Sequence, residues 1–203
     1  KFGKLYIGGD TSYQLTFDPL NIVLATRLEI ERDSEIGRVG LDLDPFSVEL
    51  RGGRKNFDVR VAALDFLDFE QQEAGLDLGW KLTDKMRFLA GAVGGWTDYS
   101  ADIKNDYAYA EGWIGVHWVL SQYFGMRAEG GYRSNDYDPT SGLLPALTQD
   151  YDSAVARFTL LWKPSAGDQQ AALGYEHEPQ ESVVTNFVTD DRVFLRFAYP
   201  LGA

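Results

Sequence analysis

Hydrophobic positions along this chain recur with a period of two rather than 3.6. Between residues 21 and 31 the even set Ile22, Leu24, Thr26, Leu28 and Ile30 alternates with an odd set that ends Arg27, Glu29, Glu31. Successive side chains of a β-strand point to opposite sides, so this pattern places aliphatics on one face and charge on the other. Residues 74–82 set Ala74, Leu76, Leu78, Trp80 and Leu82 against Gly75, Asp77, Gly79 and Lys81. Residues 123–133, 153–163 and 192–199 repeat it, with Phe124 and Met126, Phe158 and Trp162, and Val193 to Tyr199 holding the apolar parity. Weaker strands are predicted over 4–17, 37–51, 57–68, 86–98, 107–119 and 169–178. No segment carries a helical period, although 142–147 allows one short turn.

Predicted connections divide into short ones (17–21, 52–56, 83–85, 120–122, 164–168) and long ones (97–106, 134–150, 179–190). Short turns at one end and long loops at the other predict an all-β, closed, antiparallel up-and-down transmembrane β-barrel. The whole chain, 1–203, reads as one such domain. The literal count is eleven strands, and single-chain barrels have even numbers, so twelve is the first expectation and ten the second. A twelfth strand would arise from a hairpin around Gly9-Asp10, or from a split of 37–51 at Asp44-Pro45. At Asp44-Pro45 the alternation slips from Val39, Leu41, Leu43 to Phe46, Val48, Leu50, and a bulge in one long strand is the other reading.

The aromatics sharpen this picture. Trp80, Trp118 and Trp162 each precede a short turn by a few residues, and Tyr199 holds the matching place in the last strand. All four share the apolar parity, as expected of a girdle of amphipathic rings at a membrane interface. Trp96, Tyr99, Tyr107, Tyr109, Tyr132 and Tyr137 are candidates for a second girdle at the long-loop end. The competing reading is a set of sandwich-core aromatics.

The alternating strands, the tight turn Leu82-Thr83-Asp84-Lys85-Met86 and the closing strand Arg192–Tyr199 together resemble the bacterial outer-membrane β-barrel superfamily. The resemblance is one of pattern and covers the whole chain; by size it is nearest the small monomeric porins for acidic oligosaccharides. Those families usually end on an aromatic residue, whereas here Pro200-Leu201-Gly202-Ala203 follow Tyr199. The resemblance implies an outer-membrane location with lipids and small solutes as partners.

Composition narrows the classes. The 203 residues include no cysteine, which excludes disulfides, a cysteine zinc site and a thiol nucleophile. A formal net charge of −12 argues against nucleic-acid binding. No run approaches 18 apolar residues, so no transmembrane helix is expected. The chain opens on Lys1 without a recognisable leader, and is expected to be processed or part of a longer protein.

By parity Arg27, Glu29, Arg60, Asp77, Lys81, Glu111, His117, Arg127, Glu129, Arg133, Arg157, Glu176, Arg192 and Arg196 are predicted to face inward. Two outcomes fit such a lumen: a water-filled path whose arginines face acids, or a salt-bridge network that plugs it. If the strands carrying Arg127, Arg133, Arg157, Arg192 and Arg196 are neighbours, one wall would be basic. The long loops are acidic, with Asp98, Asp102, Asp136, Asp138, Asp150 and Asp190 among their residues. This reads as solubility or as a weak divalent-cation rim.

The leading expectation is a narrow passive channel for small anionic or sugar-like solutes, with no enzyme activity, cofactor or metal. One alternative is the barrel anchor of a larger secretion or surface assembly, with partner subunits in the envelope. Another is a lipid-modifying barrel enzyme built on His177 and Ser182 with Glu178. A soluble lipocalin-like carrier is the reading outside membranes.

Overall fold

The computed structural model describes residues 3–16, 29–101, 103–139, 150–164, 170–181 and 187–198. Ten strands occur among them: β1 (Lys4–Thr16), β2 (Ile30–Leu43), β3 (Phe46–Val59), β4 (Phe69–Lys81), β5 (Met86–Tyr99), β6 (Tyr107–Val119), β7 (Phe124–Tyr137), β8 (Tyr151–Trp162), β9 (Gln170–Glu181) and β10 (Phe187–Ala198). They form one antiparallel sheet in which every strand pairs with its sequence neighbours, from β1 through to β10. No hydrogen-bonded pairing joins β1 to β10 among the described residues.

The count among the described residues is ten, the second expectation and not the first. β1 runs unbroken through Gly9-Asp10, so no hairpin forms there. The stretch 37–51 does split at Asp44-Pro45, with Leu43 opposite Phe46. A two-residue turn pairs residues three apart, which moves the outward set from odd to even numbers; the slip in alternation is therefore a hairpin and not a bulge. Proline, with no N–H to give to the ladder, suits that turn.

The predicted strand over 57–68 stops at Val59 and gives way to a 3-10 segment, Ala62–Leu67. The predicted turn at 52–56 is the middle of β3, where Gly52 and Gly53 lie opposite Ala74 and Glu73 of β4. Of the predicted strand 21–31, only its last residues lie in β2; residues 21–28 are outside the described residues, as is 142–147.

Two tight turns are held by hydroxyls. Thr83 Oγ1 accepts from the Lys85 and Met86 amides at 3.2 and 3.0 Å. Ser121 Oγ accepts from the Tyr123 and Phe124 amides, both at 3.1 Å. These two turns share one end of the sheet with the 44–45 turn, the start of β1 and the end of β10, and the connections β1–β2, β3–β4, β5–β6 and β7–β8, each of seven residues or more, lie at the other end.

The sheet curls enough for nine consecutive strands, β1 to β9, to line one concave cavity of about 720 Å³. At the long-loop end the inner face is apolar. There Ile30, Phe57, Val59 and Leu67 are buried together, with Leu64, Phe66 and Phe69 packed against them. Beside this cluster Tyr107, Tyr109 and Tyr137 bury one another against Val93 and Tyr99. The 3-10 segment thus folds over the concave face as a cap. Tyr99, Tyr107, Tyr109 and Tyr137, expected in an outer girdle, belong instead to this inner cluster, because they hold odd positions, the inward parity of β5, β6 and β7.

Candidate functional site

Among the described residues, charge inside the fold concentrates on the concave face. Arg51 Nε stands 3.6 Å from Asp77 Oδ2. Lys55 Nζ donates to Glu73 at 2.7 Å, and Tyr109 Oη donates to the same carboxylate at 3.1 Å. Tyr6 Oη donates to Glu49 at 2.7 Å, and Arg38 pairs with Asp10 at 2.9 Å. Arg157 bridges Glu111, at 2.9 Å, and Glu178. Arg192 pairs with Glu176 directly opposite, and Arg127 with Glu129. Arg133 lies over the Tyr109 ring at 4.1 Å and donates to Asn135. Arg196 covers Phe194 at 4.3 Å.

Asp77, Glu111, Arg127, Glu129, Arg133, Arg157 and Glu176 therefore all line the concave cavity, as the alternation predicts. His117, Arg192 and Arg196 hold the same face by register. Arg60 does not. Its guanidinium pairs with Glu31, to which Tyr13 Oη also donates, at 2.6 Å. That trio stands at the long-loop end on the face that also carries the exposed Leu5, Ile7, Val39 and Leu41. Arg60 follows the end of β3, so the alternation assumed for 57–68 no longer applies to it. Glu29 precedes β2 and shares the parity of Glu31; its carbonyl accepts the Arg60 amide at 2.9 Å. Arg27 lies outside the described residues.

The condition for a single basic wall, that the strands carrying Arg127, Arg133, Arg157, Arg192 and Arg196 be neighbours, is not met. β9 lies between β8 and β10 and presents Glu176 and Glu178 to Arg157 and Arg192. A charge removed from water is retained when a counter-charge accompanies it, so these arginines come with their acids.

Sequence reasoning missed Tyr6, Arg38, Glu49, Arg51, Lys55, Glu73 and Arg87 as members of this face. The signal was present: once Val48 and Leu50 define the outward parity, Glu49, Arg51 and Lys55 follow on the other side. The Gly52-Gly53 pair hid it by suggesting a turn.

The opposite, convex face is apolar near the short-turn end. Phe46, Trp80 and Phe88 line up across β3, β4 and β5, with ring centroids 6.3 and 6.1 Å apart. Trp118 of β6 and Trp162 of β8 hold the same end and the same face, and Phe124 pairs with Trp162. The three tryptophans therefore share one level; Tyr199 lies outside the described residues. Trp96 and Tyr132 are the two aromatics of the proposed second girdle that do face outward. Between the levels, Leu78, Ile114, Phe158, Leu173, Val193 and Leu195 are exposed.

His177 stands on this convex face with its Nδ1 2.8 Å from Asp191 Oδ1, and Tyr175 Oη donates to the same carboxylate at 2.6 Å. Glu178, the expected partner of His177, points to the concave face and binds Arg157. Ser182 lies outside the described residues. Among the described residues no group of three or more His, Asp or Glu side chains is placed to hold a metal ion.

No protein-family model, no curated protein and no solved structure matches this chain.

Proposed function

We propose that β10 meets β1 to close the sheet into a ten-stranded β-barrel in a bacterial outer membrane, and that its lumen is a narrow passive path for small anionic or sugar-like solutes. One observation carries this reading: the strands expose apolar side chains on the convex face and turn charges to the concave face. A water-soluble protein has little use for so extensive an exposed apolar surface, whereas a bilayer core requires one. The tryptophans at one level fit a headgroup girdle. Closure would also satisfy the edge amides and carbonyls of β1 and β10, which hydrocarbon cannot. Ten strands fall between barrels filled by side chains and wide aqueous pores, in keeping with a cavity of about 720 Å³.

A second reading is favoured by the apolar and tyrosine clusters at the long-loop end, which narrow the lumen there. It holds the barrel to be a closed anchor for an envelope assembly. Conductance of the detergent-purified chain in a planar bilayer under a salt gradient separates the two. Discrete steps with anion preference support the channel. Stable insertion without conductance supports the anchor. Failure to insert, with solubility in plain buffer, overturns both.

A further inference from the structure

The ladder registers bring four basic-type side chains into one row. Lys81 of β4 pairs with Arg87 of β5, Arg87 with His117 of β6, and His117 with Arg127 of β7. All four hold the concave parity, near the short-turn end. Side chains directly opposite on neighbouring strands lie about 5 Å apart at Cβ, and like charges so placed repel. Four adjacent strands put the ends of the row about 14 Å apart, from a spacing of about 4.8 Å per strand.

Counter-charges serve only the ends. Lys81 Nζ reaches Asp84 in the solvent-exposed turn at 2.8 Å, and Arg127 pairs with Glu129. Arg87, in the middle, has no carboxylate partner among the described residues. Its stem lies across Gly79, where a Cβ would come within 3.3 Å of Arg87 Cδ. Elsewhere on this face Arg38, Arg51, Arg157 and Arg192 come with acids, whereas Arg133 and Arg196 lie over the rings of Tyr109 and Phe194; among the described residues the Arg87 guanidinium has neither kind of partner. Arg87 and Arg127 both line the cavity, and Thr159, opposite Arg127, extends the row with a hydroxyl.

We propose that the row Lys81–Arg87–His117–Arg127 is a binding site for a small, multiply charged oxyanion of the sulfate, phosphate or polycarboxylate class, at the short-turn mouth of the cavity. It rests on the reading of the concave face as a lumen open to solutes, and it deepens that reading by placing the anion preference in this row. Bound oxyanion would supply the missing counter-charge to Arg87 and relieve the repulsion between Arg87 and Lys81, which is a source of affinity available only to an anion.

The probe is inorganic sulfate, measured by isothermal titration calorimetry on the detergent-purified chain. Folding is checked in parallel by far-ultraviolet circular dichroism and heat-modifiable gel mobility. We expect Arg87→Gln to weaken sulfate binding at least about tenfold, the loss of a charge-assisted hydrogen bond. Arg87→Lys should restore most of it, and Arg54→Gln, on the convex face where Arg54 pairs with Glu70, should leave it unchanged. Folded Arg87→Gln protein that binds sulfate as the parent does, or a parent that binds none, overturns the site. Sulfate binding in a chain that does not conduct overturns the channel and leaves the site; conductance without sulfate binding does the reverse.

Discussion

Arg157 of β8 reaches over an entire strand to Glu111 of β6, with Nη2 2.9 Å from Oε1. The register explains how. The line between them crosses β7 at Gly131, which lies opposite Trp113 and Val155 and carries no side chain to block it. The Glu111 side chain is only 6% exposed, against 31% for Arg157, so the carboxylate end of this cavity-lining pair is largely shielded from water.

Removing one partner of such a pair strands the other. Arg157→Ala is expected to destabilise the chain by about 3–5 kcal/mol, because Glu111 then stays buried without compensation. Arg157→Ala combined with Glu111→Gln should recover a good part of that loss. Urea unfolding of refolded protein, followed by tryptophan fluorescence, checks both; additive losses would count against the coupling.

Gly131 offers a test of close approach. A Cβ there would run into the Gly112 carbonyl oxygen and come within 2.8 Å of Trp113 Cβ. Gly131→Val should cost about 1–3 kcal/mol through forced backbone shifts. Gly130, on the other face, has open space where its Cβ would stand, so Gly130→Ala should change stability little. Equal losses for the two would refute the assignment of faces.

A charge placed on the convex face distinguishes a bilayer from water as its surroundings. Ile114 is 72% exposed on β6. In an aqueous protein Ile114→Arg would be near neutral or would improve solubility. In a bilayer core it should cost about 2–4 kcal/mol. Equilibrium folding into lipid vesicles against denaturant gives the value, and a neutral result would remove the membrane reading.

The cap over the long-loop end predicts a pore effect. Leu67 is buried at 4% exposure against Ile30, Phe57 and Val59. Leu67→Ala should cost about 2–5 kcal/mol if the site cannot collapse. If the cap narrows a conducting lumen, single-channel conductance should rise in the same variant; unchanged steps would place the constriction elsewhere.

Asp68, at the base of that cap, accepts the Val59 amide at 2.7 Å. Burial raises its carboxyl above the usual range, against the lowering effect of the Val59 amide, with Asp58 and Asp65 adding repulsion. A raised folded-state value means that Asp68 favours the fold most when protonated, and that this contribution is lost as pH rises through the folded value. Asp68→Asn keeps an acceptor for the amide and removes the charge. It should be at least as stable as the parent at neutral pH, with the advantage vanishing below about pH 4. Thermal scans across that range test the sign.

The alternation alone located most strands to within a few residues, because a sheet with one apolar and one charged face imposes period two wherever its strands run. It also put Trp80, Trp118 and Trp162 on one face and at one level, and the concave set from Asp77 to Glu176 on the other. Where parity was extended past the strand end, at Arg60, it failed. It also misread Gly52-Gly53, since glycine inside a strand and glycine in a turn look alike in one dimension.

What the sequence determined by itself is the face each strand residue takes, since that depends only on local geometry. Which charges meet was decided by tertiary structure. Register sets Glu176 between Arg157 and Arg192, carries Arg157 over Gly131 to Glu111, and lines Lys81, Arg87, His117 and Arg127 in a row. Those contacts join residues tens of positions apart, and the offset of one strand against the next, which fixes them, is set by turn length and packing and not by alternation.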